Sequence, residues 1–163
     1  MSISDDLARI ALQEERLQFA SFDEEAAWRL GSRLRSLASE RGLGAVIDIR
    51  RPAQQLFYAA MPGTTPDNPE WVRRKSNDVL RFHRSSYAMG LELEQKQSTL
   101  HDRYGLPLTD YAAHGGSFPL RVRNTGVIGA ITVSGLPQRE DHNLVIEALC
   151  AELSKSCENL RLE

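Results

Sequence analysis

His114-Gly-Gly-Ser-Phe-Pro-Leu-Arg-Val-Arg-Asn-Thr-Gly-Val-Ile-Gly-Ala-Ile-Thr-Val-Ser-Gly135 reads as two adjacent β-strands with glycines at entry, turn and exit. Phe118, Leu120 and Val122 alternate with Pro119, Arg121 and Arg123, the period of a strand with one face on a core. Asn124-Thr-Gly126 supplies turn chemistry, because Asn and Gly tolerate positive φ. The second strand, 127–134, is apolar on both faces: Val127, Ile131 and Val133 on one, Ile128 and Ala130 on the other. That pattern belongs to a central strand covered on both sides. Gly129, lacking a side chain, lets a neighbouring element or a ligand approach closely.

Working outward, the chain has 163 residues, the length of one domain spanning 1–163. Twenty basic residues against 22 acidic ones leave a formal net charge of −2. No field follows that would favour nucleic acid or a membrane surface. Cys150 and Cys157 lack CxxC spacing and sit seven apart in an expected helix, which fits a reducing compartment and gives no zinc site. The acidic start Met1-Ser-Ile-Ser-Asp-Asp has no apolar core and does not read as a signal peptide. A soluble, cytoplasmic protein is expected.

The spacing predicts helices over 4–17, capped by Ser4, and over 23–41, where Ala27, Leu30, Leu34 and Leu37 form a stripe. A short strand is expected within 17–22. Residues 44–50 and 54–61 read as a hairpin around Arg51-Pro-Ala53. Asp48 lies among its apolar residues as an outward group, a structural pair or a functional acid. After the loop 62–69, Asn68 and Pro69 predict a helix to Tyr87. Trp71, Val79 and Phe82 mark its apolar face, and Lys75 falls on that face. Asp78 is within helical reach of Arg74 and Arg81. Lys75 either snorkels to water, joins a buried pair with Asp48 or Asp141, or meets an anionic ligand. Residues 91–113 are ambiguous, 137–153 form an amphipathic helix, and 154–163 are expected to fray.

No phosphate-loop, nucleophile-elbow or HExxH pattern exists, so no catalytic and no metal set is assigned. His114 is the histidine to watch, because Gly115 and Gly116 beside it allow close approach to its ring. Ser134 leads from a central strand into a helix whose amides could hold an anion. Lys75, Arg81, His114, Gly115, Gly116, Ser134 and Asp141 are therefore the candidate ligand-binding residues.

Gly115-Gly-Ser-Phe-Pro, followed by Gly126-Val-Ile-Gly-Ala-Ile-Thr-Val-Ser-Gly135 and Asp141, resembles the GlcG/HbpS-like family, the haem-degrading domain. The segment Pro66-Asp-Asn-Pro-Glu-Trp71, with Arg74-Lys-Ser-Asn77 and Arg81-Phe-His-Arg-Ser-Ser86, is similar to its cytosolic branch. The resemblance implies an α+β sandwich, profilin-like or PAS-like, with an antiparallel sheet of about five strands and packed helices. It also implies a homo-oligomer, with haem as one ligand to consider. No histidine here sits in an axial-ligand motif, and fold alone does not fix activity. Three readings remain: a small-ligand-binding or sensing module for an anion or haem, an oligomeric scaffold or chaperone-associated interaction protein, and a haem-degrading or other enzyme.

Overall fold

The computed structural model describes residues 1–163. Helix α1 (Ile3–Arg16) and helix α2 (Glu24–Glu40) precede the hairpin β1 (Val46–Arg51) and β2 (Gln54–Ala60). Then come α3 (Asp67–Phe82), α4 (Ser86–Gln95), α5 (Leu100–Tyr104), β3 (Ser117–Val122), β4 (Gly126–Ser134) and α6 (Gln138–Glu152). The fold is α+β, as expected. Its antiparallel sheet has four strands in the order β2-β1-β4-β3, so the expected fifth strand is absent. Within 17–22 only Phe19 bridges to Val122. No helix is long and apolar enough to cross a membrane.

Strand β4 is central, as its two apolar faces require. Ile131 and Val133 join Ile47, Ile49, Phe118 and Leu120 on one face, under Leu30 and Leu34 of α2 and Val145 and Leu149 of α6. The neighbour that comes close at Gly129 is β1: an added Cβ there would lie 2.1 Å from the Arg50 carbonyl oxygen. Helix α3 covers the opposite face, and the layer beneath it is largely polar. Ser117 and Thr132 share a hydroxyl hydrogen bond of 2.8 Å. Asp48 accepts from Arg50 at 2.6 and 2.7 Å and from Gln55 at 2.6 Å, which makes it a structural pair.

Several boundaries differ from the sequence expectation. Ser2, not Ser4, caps α1, in a reciprocal box with Asp5. Helix α3 starts at Asp67, and Asn68 instead accepts from the Thr65 amide at 2.8 Å. The helix expected to reach Tyr87 stops at His83, which takes a left-handed conformation (φ 55°), and α4 restarts from a Ser85 cap. Cys157 lies beyond α6, not within it. The C-terminal residues do not fray. Leu160 and Leu162 are buried, Asn143 bonds both backbone groups of Leu162 at 3.0 Å, and Arg139 donates to the Glu163 carbonyl at 2.7 Å.

Candidate functional site

Positions 67, 68, 71 and 75 follow one side of the first turns of α3, because residues three and four apart share a helix face. That side looks over the end of β4, where Ser134 and Gly135 lead into α6. The result is a cleft of about 420 Å³ lined by Asp67, Asn68, Trp71 and Lys75 from α3, and by His114, Ser134, Gly135, Leu136, Gln138 and Asp141. Two helix N-termini thus meet at one place, and neither α3 nor α6 has a side-chain cap. Their dipoles favour negative charge there, although at α3 the Asn68 amide is taken by the Thr65 carbonyl at 3.0 Å and Pro69 has no N–H to offer.

Lys75 is the floor. Its side chain is 4% exposed, and its ammonium lies 3.0 Å from Asp141 Oδ2, 3.3 Å from Ser134 Oγ and 3.4 Å from the Val133 carbonyl. Of the alternatives left open by spacing, the buried pair with Asp141 is the one realised. Asp141 also accepts from the Leu136 amide at 3.0 Å and the Gly135 amide at 3.4 Å. Burial lowers the Lys75 pKa although Asp141 pulls it up. Burial likewise pushes Asp141 up to about 6, against the opposing pull of Lys75 and the two amides. Both shifts have one origin, the cost of holding charge away from water.

Gly116 makes this packing possible. Its φ is +128°, and an added Cβ would stand 2.3 Å from the Val133 carbonyl oxygen, 2.9 Å from Lys75 Nζ and 3.0 Å from Asp141 Cβ. Gly115 donates its amide to Gln138 Oε1 at 3.1 Å, tying the strand entry to the first residue of α6. His114 stands edge-on to Trp71, with ring centroids 5.4 Å apart. Burial, then the charges of Lys75 and Arg74, lower its pKa, so the ring is neutral at pH 7. The Arg74 guanidinium also lies over the Trp71 ring, 4.6 Å from its centroid.

Lys75, His114, Ser134 and Asp141 thus line one cleft, and Gly115 and Gly116 back it. Arg81 does not belong. It is exposed, 6.0 Å from the Phe82 ring, because six residues turn it about 240° around the helix from Lys75. Asp67, Asn68, Trp71 and Gln138 line the cleft but were not singled out as ligand contacts. The signal that points to them is a pair of helix starts, each following a proline (Pro66 and Pro137).

Comparison with known proteins places this arrangement in a family. A UPF0303 protein of Acidobacterium capsulatum is 62% identical over 151 residues, covering 93% of this chain and 92% of its own. A UPF0303 protein of Rhizobium meliloti is 59% identical over 163 residues, covering 100% of this chain and 99% of its own. Among solved structures, the Ybr137w protein superposes with a TM-score of 0.83 at 29% identity, over 89% of this chain and 86% of that one. The PduOC:heme complex gives a TM-score of 0.68 at 16% identity, over 80% and 94% of the two chains, which is a likeness of fold. The family model described as haem degrading protein HbpS-like matches residues 22–150, and the chain belongs to that family.

Proposed function

We propose that this chain is a small-ligand-binding or sensing module in which the cleft above Lys75 and Asp141 receives the anionic group of its ligand. The convergence of two uncapped helix N-termini on one cleft floored by a buried ammonium carries this reading. Gln138→Glu tests it. Glutamate still accepts from the Gly115 amide but adds a negative charge to the cleft wall. Inorganic phosphate, followed by calorimetry, should bind the native protein and bind the variant at least about tenfold more weakly. Equal affinity in both proteins, or no binding to the native one, would overturn the proposal.

Family membership and the likeness to PduOC, solved as a heme complex, support haem binding as the second reading. The cleft itself matches a macrocycle poorly. Trp71 and Leu136 are its only apolar side chains, and its one histidine is packed against Trp71. Hemin should therefore give a shallow, non-stoichiometric Soret change. A sharp one-to-one shift that disappears in His114→Ala would show the opposite and name the ligand.

A second copy of the chain is the proposed partner. Trp71 and Phe82, the aromatics of α3, are half-buried. Trp28 of α2, 63% exposed, and Tyr58 of the edge strand β2, 43% exposed, offer apolar surface at one place instead. Native mass spectrometry at micromolar concentration should show an oligomer; a monomeric mass alone would sink the idea.

A further inference from the structure

A second cavity of about 370 Å³ lies behind His114, between α3, α4 and the segment through α5 to residue 113. Its lining differs in kind from that of the Lys75 cleft. Leu93, Leu100, Leu108, Tyr111 and Ala113 give it an apolar wall, and Arg74, Glu94 and His114 add polar groups. His114 lines both spaces. At this shared residue the ring stands edge-on to Trp71 of the cleft, and Arg74, which lies over Trp71 and is held by its Nε bond to the Leu108 carbonyl at 2.8 Å, lines the second space.

We propose that the ligand is an organic anion with a compact apolar body, held across His114. Its charged group sits over Lys75 and its body in the cavity lined by Leu93, Leu100 and Ala113. This inference rests on the anion reading of the cleft and adds the chemistry of the rest of the ligand. The polar cleft alone offers only two apolar side chains and leaves a hydrocarbon body in water. The second cavity supplies that surface, and each space lies within the range in which small ligands are held. A neutral imidazole suits the junction. Its N–H can donate to an anion, while the ring face packs against apolar atoms.

The test uses 8-anilinonaphthalene-1-sulfonate, a sulfonate with an aromatic body, alongside inorganic phosphate. The native protein should bind the dye saturably at one site, and phosphate should displace it. Ala113→Phe fills the apolar cavity from a half-buried position. Leu108→Glu places a charge at its mouth from a side chain that is 56% exposed. Each should weaken dye binding at least about tenfold, while phosphate affinity stays within about twofold. If Ala113→Phe loses its circular-dichroism melt, Leu108→Glu decides alone. Undiminished dye affinity in the folded variants, or dye that phosphate cannot displace, overturns the inference. Phosphate binding without dye binding overturns it too, and leaves the anion cleft standing. Failure of phosphate to bind at all ends both.

Discussion

Lys75→Met should lower the unfolding free energy by about 3–5 kcal/mol, because it removes one partner of a buried ion pair and strands the other. Methionine replaces the stem but not the charge. Asp141, 1% exposed, would keep only the amides of Gly135 and Leu136. The loss should also depend on pH. Asp141 is already pushed up to about 6 with the ammonium beside it, and deleting that ammonium removes the largest influence that lowers it. A carboxyl whose folded pKa is raised stabilises below its unfolded value, and that contribution is lost as pH rises through the folded one. The deficit should therefore be smaller at pH 5, where Asp141 can take a proton, and larger at pH 8. Urea unfolding at the two pH values measures this, together with a fall in melting temperature of about 10 °C at the higher one. Unchanged midpoints at both would mean that the ammonium reaches water and the pair does not hold the cleft.

The pairing of Lys75 with Asp141 shows how far the sequence could be read. Spacing placed Lys75 on the inward side of its helix, since Trp71 and Val79 lie four residues to either side. It offered two carboxylates as partners and could not choose, because 66 residues separate Lys75 from Asp141 and the choice depends on tertiary packing. The strands around Asn124 and the centrality of β4 were legible because alternation and two-faced apolarity are local signals. The inward face of α3 was not fully legible. Its buried residues are Val72, Lys75, Ser76, Asp78 and Val79, three of them polar, so a search for apolar period finds Trp71 and Phe82 at the margins instead. The break at His83 was hidden for a similar reason: no glycine or proline marks it, and a non-glycine residue adopts the left-handed conformation. The C-terminal residues looked like fraying because they are short. Leu160 and Leu162 alternate, though, and that alternation is what packs.

The polar layer under α3 also explains why the cleft can hold its shape without a large apolar core on that side. Ser117 bonds Thr132 there and Lys75 bonds Ser134 and Asp141, and satisfied polar clusters of this kind fix geometry more narrowly than interchangeable aliphatic contacts do. The cleft residues Lys75 and Ser134 form one of those clusters, so the site and the packing of α3 on this face share bonds.

Asp78 is the exception within that layer, and it leads to the second large effect: the protein should lose stability on the order of 4 kcal/mol between pH 5 and pH 8 through this one residue. Helical spacing paired Asp78 with Arg74 and Arg81, but Arg74 stacks on Trp71 and Arg81 is exposed. Asp78 is 0% exposed, and neither of its carboxyl oxygens has a hydrogen-bond partner. Burial alone pushes its pKa up to about 8, from an ordinary value near 4. The folded chain thus binds a proton that the unfolded chain has already released. Its stabilising contribution is complete below about pH 4 and is lost as pH rises through 8. Asp78→Asn keeps the shape and cannot ionise, so its stability curve should lack this slope. Other groups titrate in or near the same window. Asp141 is pushed up to about 6, and His142, pushed down to about 3 by burial, acts in the opposite sense as pH falls. The difference between variant and native protein cancels both. Denaturant melts from pH 5 to pH 9 should show Asp78→Asn gaining on the native chain as pH rises, with the gain levelling off above about pH 8. Parallel curves would mean that Asp78 finds water or a cation, and its isolation in the layer would be disproved.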